Sequence, residues 1–476
     1  GDNTAVGRSA LLANTSGGSN VGIGNYALQA NTTASNNTAV GYQALYANTT
    51  GYLNVAVGLQ AGYSNTTGNI TAFGSKTLYS NTTGTDNTAV GGNYNALAPL
   101  YTNTTGSYNI AVGTGALASN TTASNNTAVG YQAGYTNSTG TGLTVFGYQA
   151  GYTNNDDYNS AFGYQALKAN STGGNNAAFG ALALTNNTAG QNTAVGRGAL
   201  QANTSGASNT AVGYQSLNAN TTASDNTAVG YQAGYANTTG FRNVFMGRNA
   251  GNTVTTGQQN TIIGSYAGTQ LTTGSTNVGI GDSSCGGNSA SAFTGSSNTV
   301  VGNGALEKVT SGSYNLALGT TAGKNLTTGN GDTCIAPLDS AGNYNPVFDP
   351  TTESNRIVMG STGITNAYVK VAWTVTSDAR DKTSIVDIPH GLDFVQQLKP
   401  KQYKFKTSRE DDTPNGNLRY GFLAQDILAL EGDTPVVIDN EIPDHLKYQG
   451  ESLVPILVKA IQELKAEFDA YKATHP

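Results

Sequence analysis

A short phrase ending in glycine returns about every 17 residues through the first 332 positions of this 476-residue chain. Asn-Thr-Ala-Val-Gly stands at Asn3–Gly7, Asn37–Gly41, Asn87–Gly91, Asn126–Gly130, Asn192–Gly196, Asn209–Gly213 and Asn226–Gly230, and variants such as Asn159–Gly163 and Asn260–Gly264 fill the gaps. Nineteen closing glycines run from Gly7 to Gly319, spaced 16 or 17 apart except for steps of 22 before Gly113 and 21 before Gly302. A fixed period this short marks a stacked repeat, since one unit cannot bury a core alone.

The unit reads N-T-A-V-G-Y-Q-A-L-x-A-N-T-T-G-x-x. Val, Ile or Phe before the glycine is a β-forming position, and the glycine permits a tight bend. Q-A-L or Q-A-G-Y reads as a second short strand, and N-T-T-G as a turn. Two short strands and two turns per unit predict a mainly β protein, a parallel β-solenoid or β-roll of nineteen coils. At about 4.8 Å per coil the shaft spans on the order of 90 Å. Only Pro99 precedes residue 336, as a ladder that needs each amide hydrogen requires. Each coil offers one or two medium apolar side chains and some alanines, a thin core at ~25 cal/mol per Å². The shaft is therefore expected to bury faces against copies of itself, as a homotrimer of parallel rolls or interwound chains.

Composition excludes several classes. Two cysteines make neither a disulfide framework nor a four-thiolate zinc site. His390, His445 and His475 show no ligand spacing, and no phosphate loop is present, so no metal and no cofactor are expected. No apolar run reaches the ~18 residues of a spanning helix, and a net charge of −6 argues against nucleic acid. Disorder is disfavoured, because the chain is neither highly charged nor proline-rich. The break in texture is sharp. Residues 1–332 carry 8 basic and 8 acidic residues, and residues 333–476 carry 14 and 20. We divide the chain into a shaft (1–332), a transition segment (333–364) and a terminal domain (365–476).

Within the shaft, the many Asn-x-Thr/Ser sequons, such as Asn48–Thr50, read as turn residues and side-chain ladders. Twenty of 26 tyrosines lie before residue 333, among them Tyr131, Tyr135, Tyr148, Tyr152, Tyr231 and Tyr235. They read as a packing ladder, with sugar binding on ring faces as the alternative. The longer steps insert residues around Asn93–Tyr101 and Ser283–Ser296, natural places for recognition. Cys285 lies in the second, and its pairing with Cys334 is left open. The phrase Asn37-Thr-Ala-Val-Gly-Tyr-Gln-Ala44 resembles the repeats of trimeric autotransporter adhesin heads, whose period is a few residues shorter. That resemblance covers residues 1–332 and implies an adhesive β-roll.

The terminal region reads as strands at Arg356–Met359 and Tyr368–Val375, a short helix at Pro389–Lys399, and strands at Gln402–Lys406 and Arg419–Leu423 around a polar loop at Glu410–Leu418. A long helix follows over Ser452–Tyr471. Its apolar positions Leu453, Leu457, Ala460, Leu464, Phe468 and Tyr471 make a coiled-coil-like seam with one irregular step. Pro455 falls in the first turn, where its missing donor costs little.

Three pieces in order, Ser377-Asp-Ala-Arg-Asp-Lys382, Tyr420-Gly-Phe-Leu-Ala-Gln-Asp426 and Lys459-Ala-Ile-Gln-Glu-Leu464, resemble the intramolecular chaperone, auto-processing domain of phage tailspikes and tail fibres. The resemblance spans roughly residues 354–473. It implies a trimer that aids assembly of a β-rich fibre and then cuts itself off at Thr376–Ser377, with Ser377 as nucleophile and Lys382 as general base. Asp378 and Arg380 belong to the motif without an assigned role. Repetitive parallel strands are prone to register slips and slow to pair, so a terminal trimer that sets register is physically useful.

The reading that follows is a homotrimeric phage tail fibre, a receptor-binding adhesin of the virion tail. Its expected partner is a host surface receptor, with a glycan as the expected class. Its only expected enzyme activity is one self-cleavage. A chain beginning mid-repeat at Gly1 suggests an attachment region upstream. A tailspike depolymerase is the runner-up, but the shaft has eight acidic residues, Asp2, Asp86, Asp156, Asp157, Asp225, Asp282, Glu307 and Asp332. Only Asp156 and Asp157 are close in sequence, and neighbours on a strand point apart. A bacterial surface filament and ice binding by rows such as Thr49-Thr50 and Thr66-Thr67 are further alternatives.

Overall fold

The structure is a computed structural model, and it describes residues 1–92, 97–287, 291–364, 367–368, 370, 377–406, 412–441 and 443–475. The chain divides into two compact units, Gly1–Gly360 and Ser361–Pro476.

The first unit is a 21-stranded parallel sheet wound as a β-solenoid of about 17 residues per turn, from β1 (Thr4–Val6) to β21 (Ile357–Met359). Each strand pairs with the next in chain order, and like residues face like residues: Thr193, Ala194 and Val195 lie against Thr210, Ala211 and Val212. The middle residue of the strand points inward, and the flanking two point outward, as in Thr210–Val212.

Only one strand forms per coil. The expected second strand, Q-A-L, is a turn, because its alternate residues are left-handed: Gln43 has φ 56° and Leu45 φ 50°. Such a conformation costs roughly 1–2 kcal/mol per non-glycine residue. Hydrogen bonds to neighbouring coils offset it, Gln43 N donating to Asn25 O (3.0 Å) and Leu45 N to Ala61 O (3.0 Å). The closing glycine is required by contact as well as by conformation. Gly213 has φ +138°, and a Cβ there would lie 2.3 Å from Gly230 O.

The core is half apolar and half polar. In the coil from Asn37, Ala39, Ala44 and Leu45 are buried beside Asn37 and Asn48. The asparagines form two columns, the first interrupted at Ile70 and Leu143 and the second giving way after Asn237 to Val254, Leu271, Phe293, Val309 and Leu326. Asn37 Oδ1 accepts from Asn54 N (2.9 Å), while Asn37 Nδ2 donates to Gly51 O (3.0 Å). Asn48 Nδ2 donates to Asn31 Oδ1 and to Gly51 O, both at 2.9 Å. The first sequon residue thus sits inside the solenoid, as the turn-and-ladder reading expects. The ladders explain how so little apolar volume suffices: the remaining interior is filled by amides whose partners lie in adjacent coils.

Tyrosines stack from coil to coil. Tyr46, Tyr63, Tyr79 and Tyr101 form one column with ring centroids 5.0–5.3 Å apart, and Tyr131, Tyr148 and Tyr164 another. Ring faces within these columns are covered by neighbouring rings, which favours the packing ladder over sugar stacking. Where Q-A-L becomes Q-A-G, a larger strand residue fills the space. Phe245 is fully buried, and a Cβ on Gly234, in Gln232-Ala233-Gly234, would lie 2.6 Å from its ring. The expected insertions lie partly outside the described residues, at 93–96 and 288–290. Phe293, at the end of the second, is fully buried in the core. Cys285 and Cys334 are separate buried thiols, each pushed up to about 12 chiefly by burial.

The sheet does not stop where composition changes. Thr333–Ile335 pairs with Leu316–Leu318, and β21 pairs with Thr333–Ile335 after a longer excursion. Asp332 takes an asparagine's place in the column: its N donates to Asn315 Oδ1 and its Oδ1 accepts from Arg356 N, both at 2.8 Å.

The second unit holds a short helix α1 (Leu392–Gln397), a hairpin of β22 (Lys401–Lys406) and β23 (Pro414–Gly421), helix α2 (Ala424–Glu431), a small pair β24 (Ile438–Asp439) and β25 (Lys447–Tyr448), and helix α3 (Leu453–Thr474). Three expectations shift. Helix α1 begins after Pro389, at Leu392. The expected polar loop contributes most of β23: Pro414 and Asn415 pair with Lys406 and Phe405, and Gly416, Asn417 and Leu418 span an irregularity before pairing resumes at Arg419. The strand expected at Arg419–Leu423 ends at Gly421, and the following residues open α2. Phe394, Ile427, Val437, Ile438, Leu453 and Ile456 form the core.

Candidate functional site

Ser377 and Lys382 flank one 3₁₀ turn, Ala379–Asp381, and the turn brings them together. Asp378 builds it. Its carboxylate caps the turn, Oδ1 accepting from Arg380 N at 2.9 Å, and also receives the Arg380 guanidinium, Nη2 lying 2.6 Å from Oδ2. The Arg380 hydrogen bonds hold the Asp378 carboxyl below the usual carboxylate range. Asp381 N donates to Asp378 O (3.1 Å) and Lys382 N to Ala379 O (3.2 Å). With the backbone folded over this way, Lys382 Nζ donates to Ser377 Oγ at 2.8 Å. All six residues from Ser377 to Lys382 are exposed. Thr376 and most of the strand expected at Tyr368–Val375 lie outside the described residues.

The pair has the reach that proton transfer requires, ~2.6–3.2 Å between heavy atoms. A serine hydroxyl is inert until a base takes its proton. An amine serves as that base only when desolvation or neighbouring charge favours its neutral form. The site as folded has the geometry and lacks the dry surroundings.

Outside the turn, Lys459 and Glu463 of the third motif piece, with His390 and Glu431, act as structural staples. Lys459 Nζ donates to Ile388 O (2.6 Å), and Glu463 Oε2 accepts from Leu392 N (2.6 Å) at the start of α1. His390 packs on Phe394 with centroids 4.4 Å apart. Buried Glu431 accepts from Val436 N, Val437 N and Ile438 N at 2.6–2.9 Å, fixing the loop after α2. These roles were not legible beforehand, because they depend on which helix turns meet.

The expected seam of α3 separates into two faces. Leu453 and Ala460 turn inward with Ile456. Leu457, Leu464, Phe468 and Tyr471 turn outward, joined by Val454 and Ile461, which sequence reading missed. The six outward residues are 38–66% exposed. Their spacing is 3, 4, 3, 4, 3, a regular heptad without the irregular step.

Residues 377–434 match the family model described as chaperone of endosialidase. The match begins at Ser377 and takes in the turn, α1, the hairpin and α2. A β-solenoid followed by such a domain fits a phage tail fibre or tailspike. No curated protein and no solved structure matches the chain. Among the described residues no group of His, Cys, Asp and Glu could hold a metal ion, and no helix is long and apolar enough to cross a membrane.

Three of the eight shaft acids named for the depolymerase alternative make hydrogen bonds or are buried within the solenoid. Asp157 Oδ1 accepts from Thr141 N (2.7 Å), Asp156 Oδ1 accepts from Asp157 N (2.8 Å), and Asp332 is buried in the asparagine column.

Proposed function

We propose that the chain is a homotrimeric phage tail fibre, an adhesin with a host surface glycan as its receptor class, whose second unit aligns three copies and then releases itself by cleavage at Thr376–Ser377. The observation that carries the cleavage is the 2.8 Å hydrogen bond from Lys382 Nζ to Ser377 Oγ. In the reaction, neutral Lys382 takes the hydroxyl proton and Ser377 Oγ attacks the Thr376 carbonyl carbon. The peptide C–N bond breaks as the same proton passes to the Ser377 nitrogen. Water then hydrolyses the resulting ester, leaving a Thr376 carboxylate and a new amino terminus at Ser377. Asp378, paired with Arg380, is a positioning residue that holds the turn.

Exposure of the pair gives the reaction its timing. A single protomer leaves Lys382 in water, where it is a poor base, so cleavage waits for burial by neighbouring copies. The outward heptad of α3 is the surface that brings copies together, and the number three rests on the association of this domain family with trimeric assembly.

The test is expression of the wild-type chain beside Ser377→Ala and Lys382→Met, read on a denaturing gel. Wild type gives two bands, of 376 and 100 residues, and each variant gives one. A single full-length band from wild type that light scattering shows to be a folded trimer refutes self-cleavage.

A further inference from the structure

The outward face of the solenoid sheet has the wrong chemistry for a surface that stays in water. A sheet with one face on a core normally alternates, apolar inward and polar outward. Here the last residue of every one of the 21 strands points outward or lies half-covered, and every one is apolar. Val, Ile, Phe, Leu and Met alone occupy the position, from Val6 through Phe146, Val195, Met246 and Val301 to Met359. The other outward position of each strand is most often Thr, otherwise Ser, Ala, Val, Ile or Leu, and no outward position in any strand is charged. The coil-to-coil register sets these residues edge to edge. Phe146, Phe162 and Phe179 stack with centroids 4.8–5.0 Å apart.

We infer that this sheet face is where the shafts of three copies of this chain pack against one another, parallel and coil against like coil. The inference rests on the trimer proposed above and adds the surface that the shafts use. Twenty-one partly exposed apolar side chains in one band present on the order of 1,000 Å² per copy. Monomers rarely leave more than a few hundred Å² of contiguous apolar surface in water, and a standard interface takes ~800 Å² from each partner. The occupant is a second copy because the band repeats with the coil period. Only a partner with the same period meets it at every step, and parallel alignment follows from the proposed trimer, whose second units sit at the same end of all three chains. Absence of charge removes the steering a foreign partner would use. The exposed residues of the turns, such as Thr50 and Ser205, carry hydroxyls instead.

The test is cysteine crosslinking of the full-length Ser377→Ala chain, since the native thiols Cys285 and Cys334 are buried. Val195→Cys, Met246→Cys and Val301→Cys are made singly, with Ser205→Cys on the exposed turn as the contrast. Mild oxidation is followed by a non-reducing denaturing gel, with light scattering of the unoxidised sample. Disulfide-linked dimers from the sheet-face positions, and none from Ser205→Cys, are expected. A trimer in which none of the three sheet-face cysteines links overturns the face and leaves the trimer standing. A monomer by light scattering overturns the trimer, and the sheet-face interface with it.

Discussion

Asn220 offers a direct measure of what the asparagine columns contribute. It is fully buried. Its Nδ2 donates to Asn203 Oδ1 (2.8 Å) and Ala223 O (2.9 Å), and its Oδ1 accepts from Asn237 Nδ2 (3.0 Å). In Asn220→Ala, Ala223 O keeps a donor in Asn209 Nδ2, and Asn237 Nδ2 keeps Gly240 O as an acceptor. Asn203 Oδ1 is left with none. One orphaned buried acceptor, a thinned second site and a small cavity together cost about 2–5 kcal/mol. Because each coil touches only its neighbours, the loss is local. Hydrogen exchange with peptide mapping should show lost protection over about 203–240 and little change in coils near residue 30 or 300. Asn220→Asp sharpens the test. Its carboxylate faces the acceptors Asn203 Oδ1 and Ala223 O, so burial raises its folded-state pKa above the unfolded ~3.9. A raised folded pKa means that stability is retained below the unfolded value and lost as pH rises. Asn220→Asp should therefore approach wild type near pH 3.5 and fall furthest below it at pH 7. A penalty independent of pH, or protection lost uniformly along the solenoid, refutes the ladder argument.

Three further outcomes follow from the same geometry. Gly213→Ala puts a Cβ 2.3 Å from Gly230 O at a φ of +138°, and should destabilise its coils by about 3 kcal/mol or more in denaturant titration. Cys285 and Cys334, each with a thiol pushed up to about 12, should fail to react with a thiol reagent at pH 8.5 in the native protein, and both should titrate in denaturant. Glu353 is held below the usual range chiefly by the Thr351 backbone amide. A depressed folded pKa gives stability that is present above the unfolded ~4.3 and lost as pH falls through the folded value. Glu353→Gln should therefore lower exchange protection of residues 351–353 at pH 7, with the difference from wild type shrinking as pH falls below the unfolded value and through the folded one.

How much of this was legible depends on the range of the interaction. The parallel solenoid and its register followed from the closing glycines, because a fixed period leaves few ways to stack. Nineteen glycines undercounted the 21 strands. Ala336 takes a closing glycine's place with φ 49°, and the next strand comes only after a long excursion, so the last coils hide behind a change of texture. The second strand was misread because Q-A-L shows apolar residues without showing that alternate residues are left-handed. Ser377 and Lys382 were named by resemblance alone, and only the capped turn at Asp378 explains how residues five apart come within hydrogen-bond reach.

Helix α3 carries the same lesson toward function. Leu453, Leu457, Ala460 and Leu464 look equivalent in sequence, yet the helix has two tasks. Its inner face, with Ile456 and the polar staples Lys459 and Glu463, fixes it to α1 within one protomer. Its outer face, Val454 through Tyr471, is exposed at heptad spacing. A helix locked into its own unit presents that seam in one orientation and loses little further entropy when a copy docks. The two faces are therefore separable by mutation. Ile461→Asp with Leu464→Asp should leave the unit folded by circular dichroism and abolish association in light scattering. If burial by neighbours is what frees Lys382, the same variant should also cease to self-cleave although Ser377 and Lys382 are intact. Cleavage that persists in a folded monomeric variant would separate the chemistry from assembly and refute that coupling.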